Sequence, residues 1–189
     1  MKPRRKLKRG EAYVSVFEAL LPSVQVGITN RLSLGGGAFW IPLEEHSRPF
    51  WITPKLQVLD SGKTSAAIGA INIFNAGGAN KDGIAYGVVT HGDAGGAVTI
   101  GGGYAYSGTS SRTRRSPLVM IGAEREVRTG LKFVTENYKF EGGGLLGGGL
   151  RYYSDKWSAD FGMMVAIAHP PGLSLTAGAA PVINITRRF

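Results

Sequence analysis

Cysteine is absent from the 189 residues of the chain. This excludes disulfide bonds, thiolate metal sites and cysteine nucleophiles. Histidine is scarce: His46, His91 and His169 all fall in or beside predicted turns, and none has a metal-ligand spacing such as His-x-x-x-His. No stretch resembles a nucleophile motif of the Gly-x-Ser-x-Gly kind. We therefore predict no catalytic residue, no metal and no cofactor, and a protein that is not an enzyme.

Long apolar runs are also missing. No stretch approaches the roughly 18 apolar residues of a membrane-spanning helix. The basic start, with six Lys or Arg among the first nine residues, is not followed by the apolar segment of a signal peptide. The remaining 16 basic against 13 acidic residues leave only +3 of the net charge of +9. We predict a basic tail at 1–10, a single domain at 11–189, and no nucleic-acid partner.

Glycine, by contrast, is abundant, with 29 residues. Gly142, Gly144 and Gly147 satisfy the Gly-x-Gly-x-x-Gly spacing of a dinucleotide-binding turn. Such a turn needs a helix after it, so that helix amides meet the phosphates. The aromatic segment 150–153 follows instead, and two further glycine triplets, at 35–37 and 101–103, also precede aromatic residues. We interpret the triplets as architectural: they allow bending and tight packing in a sheet.

Strand-like runs and turn signals alternate along the whole chain, and the runs are mostly about nine to twelve residues long. Soluble sheets usually use strands of about five or six residues, whereas nine to eleven cross a bilayer at a tilt. The segments 12–20 and 23–29 count as two strands or as one bulged strand across Leu20-Leu21-Pro22. The predicted strands are 12–20, 23–29, 32–41, 50–60, 64–75, 83–92, 96–107, 117–126, 131–138, 145–154, 157–168 and 180–189.

The predicted connections alternate between short and long. Short turns fall at 29–31, 60–63, 92–95, 126–130 and 154–156, and longer loops at 42–49, 75–82, 107–115, 138–144 and 168–178. This asymmetry is typical of outer-membrane barrels, whose periplasmic turns are short and whose outer loops are long. The sequence therefore predicts an all-β, transmembrane, antiparallel up-and-down β-barrel of about 12 strands (10–12).

Successive side chains of a strand point to opposite faces, so the alternation of apolar and polar residues assigns the two faces of each strand. In 157–168, Trp157, Phe161 and Met163 share an apolar face and Asp160 lies on the other. In 50–60, Ile52 and Val58 share the lipid face, while Lys55 lies with Leu59 on the face toward the interior. Charged residues that alternate with apolar neighbours in this way are predicted to line the lumen: Lys55, Lys132, Glu136, Arg151 and Asp160.

The chain resembles uncharacterised bacterial outer-membrane β-barrel proteins of porin-like type. Residues 26–37 are similar to a turn motif of that family, Tyr-Gly-(Val/Ile)-Thr-(Asp/Asn)-x-x-Ser-x-Gly-Gly-Gly, and residues 49–55 to its Pro-Phe-x-x-Thr-Pro-Lys strand. Residues 131–138 and 150–162 are similar to later strands. The resemblance implies location in the bacterial outer membrane, with membrane lipid and lipopolysaccharide as partners.

The C-terminus is similar to the signal by which the barrel-assembly machinery recognises its clients. Phe189 is the last residue, and Ile183 and Ile185 share its face, whereas Arg187 stands where an apolar or aromatic residue is commoner. Members of this family begin with a signal peptide and usually an extra strand. This chain begins with neither, which indicates a truncated or reassigned start.

The function we expect from these features is a small porin-like channel for passive diffusion of polar solutes. The inward charges are equally consistent with an ion-pair network that fills a narrow barrel. The sequence leaves open a non-conducting structural or adhesive barrel, a lipid-modifying barrel enzyme and a soluble ligand-binding barrel.

Overall fold

The protein is a barrel of twelve β-strands. The computed structural model describes residues 7–17, 21–39, 49–74, 82–108, 113–168 and 176–189. No helix within these ranges is long and apolar enough to cross a bilayer. The strands are β1 (Ala12–Phe17), β2 (Leu21–Gly27), β3 (Leu32–Ala38), β4 (Phe50–Ser61), β5 (Thr64–Phe74), β6 (Asp82–Gly92), β7 (Gly96–Gly108), β8 (Thr113–Arg128), β9 (Leu131–Phe140), β10 (Gly143–Tyr153), β11 (Trp157–Ala168) and β12 (Thr176–Arg188).

Each strand pairs antiparallel with its neighbours in sequence, and β12 pairs with β1 to close the sheet. Closure leaves no free strand edge, which a sheet in lipid requires because hydrocarbon cannot satisfy backbone hydrogen bonds. Strands β1 and β2 are separate and paired, so the count is twelve. We call the end of the barrel that carries the connections 28–31, 62–63, 93–95, 129–130 and 154–156 the turn end, and the opposite end the loop end.

Two predicted connections differ from the structure. The loop expected at 138–144 is wrong: β9 and β10 are joined by Glu141 and Gly142 alone. Gly142 has φ +76°, a left-handed conformation that glycine adopts without strain and that permits so tight a turn. Strand β8 begins at Thr113, four residues before the predicted start, which shortens the connection expected at 107–115.

The outward face of the barrel is apolar and carries aromatic residues near both ends. Tyr152, Phe161 and Phe189 lie toward the turn end and are 61–67% exposed. At the loop end Phe50 and Phe74 stack with ring centroids 5.1 Å apart. An apolar band flanked by two aromatic girdles is the usual outer surface of a transmembrane barrel.

The predicted face of Leu59 is wrong. The register between β4 and β5 shifts between Gln57 and Leu59, where Gln57 pairs with Ala67 and Leu59 with Ala66. This bulge reverses the alternation, so that Val58 and Leu59 are both exposed. Upstream of the bulge the predicted faces of β4 match the structure.

Candidate functional site

Many polar side chains of the described residues face the interior of the barrel, where they contact one another. Alternation points every second side chain of each strand inward, and these side chains meet across neighbouring strands. No large side chain among the described residues is completely buried. The inward side chains of the described residues therefore do not form a fully packed core.

An ion-pair network joins β8, β9, β10 and β11 in the turn-end half of the interior. The Lys132 ammonium lies 2.6 Å from Glu124 Oε1, and Arg151 Nη1 donates to Glu124 Oε2 at 3.3 Å. Arg151 also donates two hydrogen bonds to the Asp160 carboxylate, one from Nε and one from Nη2, the latter at 2.8 Å. The four side chains remain 9–15% exposed. Glu124 on β8 thus pairs with two cations from other strands, Lys132 on β9 and Arg151 on β10.

The network continues across the closing strand pair. The Asn184 amide donates to Asp160 Oδ2 at 3.1 Å, and the Ser15 hydroxyl donates to Asn184 Oδ1 at 2.6 Å. At the other side, the Tyr153 hydroxyl donates to Glu126 at 2.8 Å, and the Lys132 ammonium lies 5.4 Å from the Tyr153 ring centroid. Polar contacts therefore run without a break from β8 through β12 to β1.

A second, uncharged polar set lies on β2, β3 and β4. Gln25 donates through Nε2 to the Ser33 hydroxyl at 3.0 Å and accepts from the Thr53 hydroxyl at 3.0 Å. Gln25 extends over Gly35, where an added Cβ would lie 2.0 Å from its amide oxygen. On the wall opposite the ion-pair network, Gln25 is therefore satisfied by neutral partners, and Lys55 on β4 is the charged residue that faces inward beside this set.

Glycines of the strands make room for the large inward side chains. A Cβ on Gly37 would lie 2.3 Å from the Trp51 ring, and one on Gly69 would lie 2.6 Å from the Tyr86 hydroxyl. The glycine-rich segment 142–149 forms a turn and the start of β10, with no helix after it. The triplets are thus spacers for bulky neighbours, and the dinucleotide-binding interpretation of 142–147 is excluded.

The loop-end half of the interior is mainly apolar, although Asp82 and Arg114 also lie on its inward face, whereas the turn-end half holds the ion-pair network. Inward positions there carry aliphatic, sulfur-containing and aromatic side chains, most of them half-buried. Its lining includes Trp51, Ile71, Ile84, Leu118, Met120 and Met164. The sequence did not predict this division, because it depends on which end of each strand a residue occupies.

The structure places the five predicted lumen residues on the inward face of the strands, and brings three of them, Lys132, Arg151 and Asp160, into one network. Glu136 lies farther along β9 and accepts from the Tyr138 hydroxyl at 3.1 Å. Lys55 lies on β4, across the barrel. Whether any of them contacts a solute stays a prediction.

Sequence reasoning missed Glu124, which connects Lys132 to Arg151. Its inward neighbours are Gly122 and Glu126, but the outward residue between the two glutamates is Arg125, so the segment 124–126 is charged on both faces and shows no alternation. The register that pairs Gly122 with Glu136 and Glu126 with Lys132 would have revealed it.

The predicted C-terminal signal lies on the outward face of β12. Ile183 and Ile185 are 38% and 47% exposed, and the Phe189 backbone amide donates to Ala12 O at 2.9 Å. The Arg187 guanidinium lies 5.1 Å from the ring centroids of both Trp157 and Phe189. Recognition of this strand by the assembly machinery stays a prediction.

Of the three histidines, His91 is hydrogen-bonded through Nδ1 to the Thr64 hydroxyl at 2.8 Å. His46 and His169 lie outside the described residues. Within the described ranges no group of His, Asp and Glu is placed to hold a metal ion.

Three solved structures are similar to the whole barrel. The KdgM porin superposes with a TM-score of 0.63 at 10% identity, over 95% of this chain and 98% of its own. A KdgM porin in complex with disordered oligogalacturonate gives 0.61 at 9% identity, over 95% and 96%. The NanC porin gives 0.60 at 8% identity, over 94% and 98%. The chain has the fold of these porins. No protein-family model matches it, and no curated protein sequence matches it significantly.

Proposed function

We propose that the protein is a channel of the bacterial outer membrane through which small polar solutes diffuse passively. The observation that carries this proposal is a closed barrel with an apolar outer face, in which the inward charged side chains Lys55 and Glu136 are exposed. A polar, accessible lumen inside an apolar cylinder suits passage of solutes across lipid. The fold shared with porins supports the same conclusion.

Conductance of the folded protein in planar bilayers tests the channel. Gly122 faces the interior and Gly102 faces outward. A Cβ would lie 3.2 Å from Thr135 O at Gly122, so the backbone there must shift by a few tenths of an ångström, and 3.6 Å from Leu118 O at Gly102, which is ordinary contact. Gly122→Trp should therefore lower the single-channel conductance, and Gly102→Trp should leave it unchanged. Folded protein without conductance steps would overturn the proposal.

A non-conducting structural barrel is the second candidate. The contacts among Glu124, Lys132, Arg151 and Asp160 favour it, because such a network crosses four strands and narrows the turn end. In this case the folded wild-type protein would be silent in bilayers, and Glu124→Ala would open it.

The proposal includes location in the outer membrane, contact with membrane lipid and lipopolysaccharide, and delivery by the barrel-assembly machinery through β12. The outward aromatic residues at both ends support a membrane location. Extraction from cells that express the protein separates this from a soluble ligand-binding barrel: recovery in the aqueous fraction without detergent would contradict it.

A further inference from the structure

Carboxylates outnumber cations on the wall formed by β8 to β11. From Leu118 to the turn end, the inward positions of these strands carry four acidic side chains, Glu124, Glu126, Glu136 and Asp160, and two basic ones, Lys132 and Arg151. Four minus two leaves an excess of two carboxylates on this stretch of wall, whereas Arg114 lies beyond it on β8, and Lys55 and Arg188 face the interior from β4 and β12. Both cations of this stretch are already engaged by Glu124 and Asp160.

Glu136 is the exposed member of this set. Its neighbours across the sheet are Gly122 and Gly147, which have no side chains to cover it. Among the described residues it makes no salt bridge, and its hydrogen bond comes from the uncharged Tyr138 hydroxyl. A carboxylate so placed inside a barrel presents its charge to whatever occupies the lumen.

The surroundings of Glu136 suit the rest of a solute. Tyr138 stands beside it, and Tyr86 on β6 is close enough to Tyr138 for the two to interact electrostatically. On the loop-end side begins the apolar lining that includes Leu118, Met120 and Met164. Aromatic faces and a carboxylate together bind organic cations, and an apolar wall favours an apolar body.

We propose that this wall of the lumen binds small organic cations with an apolar body, and that the Glu136 carboxylate is the group that pairs with their positive charge. The inference rests on the proposed channel function and adds the class of solute. The apolar part lies along the loop-end lining while the positive group pairs with the Glu136 carboxylate.

Two ligands with the same benzene ring and opposite charge test the proposal. Benzyltrimethylammonium should block the potassium chloride current through the channel from the loop-end side, and benzenesulfonate should not. In a potassium chloride gradient, Glu136→Gln should shift the reversal potential of the channel toward that of Cl⁻. Glu136→Gln keeps the shape and the Tyr138 hydrogen bond, and should weaken the block about fivefold, as expected for one charge pair near 4 Å in water.

Glu141→Gln is the matched control, because Glu141 is an exposed carboxylate in the β9–β10 turn outside the lumen. It should change neither the block nor the reversal potential. Equal block by both ligands, or an unaltered Glu136→Gln channel, would overturn the inference while leaving a channel intact.

Calorimetric titration of the folded protein in detergent keeps the two proposals distinguishable. If the folded protein showed no conductance, the channel proposal would be overturned but the inferred binding site would not. Binding of benzyltrimethylammonium that Glu136→Gln weakens and Glu141→Gln does not would still support the inferred site, and absence of binding would overturn it.

Discussion

At the scale of single residues, the interior ion pairs matter more than those at the surface. Arg151 satisfies Asp160 and Glu124 together inside the barrel, whereas Lys63 and Asp93 form a pair 3.2 Å apart in which the side chains are 68% and 58% exposed. Removing one partner from a shielded pair leaves charges without compensation, while an exposed pair is already screened by water.

We predict that Arg151→Met lowers the free energy of unfolding by about 2 kcal/mol, because Asp160 and part of Glu124 lose their cation in a partly desolvated interior. Lys63→Met should change it by less than about 0.5 kcal/mol. Urea unfolding in lipid vesicles, followed by tryptophan fluorescence, measures both. Equal effects would mean that the interior is as well solvated as the surface.

The effect of a glycine-to-alanine substitution on the free energy of unfolding depends on the atoms around the glycine. Gly37→Ala would place a methyl group 2.3 Å from the Trp51 ring and 2.4 Å from Pro22 O, so the ring and the β2 backbone must both shift, and we expect a loss of about 1–3 kcal/mol. Gly102→Ala meets only Leu118 O, at 3.6 Å, and should be nearly neutral. The same unfolding measurement compares them, and a neutral Gly37→Ala would show that the ring and the backbone of β2 both adjust at little cost.

At the scale of elements, a contact between two turn-end connections makes the stability of the protein depend on pH. The Lys63 side chain in the β4–β5 turn donates to Asp93 in the β6–β7 turn, and this contact, with the backbone amide of Gly95, holds the pKa of Asp93 below its ordinary value. A lowered pKa in the folded state stabilises the protein above the unfolded-state pKa of Asp93. The contribution is lost as the pH falls through the folded-state value.

The carboxyl resonance of Asp93, followed by NMR against pH, should therefore titrate at a lower pH in the wild type than in Lys63→Met. Thr64→Ala, in the same turn region but away from the Asp93 carboxylate, serves as the control. If Lys63→Met left the midpoint unchanged, the backbone amides alone would account for the shift.

The barrel is closed by the pairing of β12 with β1, the shortest of the described strands at six residues. The Phe189 backbone amide extends this pairing by donating a hydrogen bond to Ala12 O, and the Phe189 ring lies against the Arg187 guanidinium. We predict that Phe189→Ala costs about 0.5–1 kcal/mol in refolding experiments from the lost cation–π contact. In cells it should cause a larger loss of assembled barrel, scored as heat-modifiable protein in the outer membrane.

Phe161→Ala is the control for that experiment, since Phe161 is equally exposed but belongs to β11. If both substitutions reduced assembly alike, the C-terminal residue would act only as an interfacial aromatic and not as a recognition signal.

At the scale of the whole molecule, strand length and alternation were sufficient to predict a closed antiparallel barrel, because both follow from crossing lipid with no free edge. The bulge at Val58 and the two-residue turn at Gly142 were not predictable, since each depends on one local backbone choice. The part played by Glu124 was hidden because its partners, Lys132 and Arg151, come from two other strands. Only the pairing register brings such residues together.

The division of each strand into a lipid face and an interior face is testable with one introduced residue. Ile52 is 39% exposed on the outward face of β4, and Lys55 lies on the inward face three residues later. Ile52→Glu places a carboxylate against hydrocarbon, which should cost on the order of 1–2 kcal/mol and reduce insertion into vesicles. Lys55→Glu places the same group in the aqueous interior, so insertion should persist while the preference for K⁺ over Cl⁻ rises. Insertion assayed by protease protection, together with reversal potentials, distinguishes the two, and a common insertion defect would show that the interior of β4 is not accessible to water.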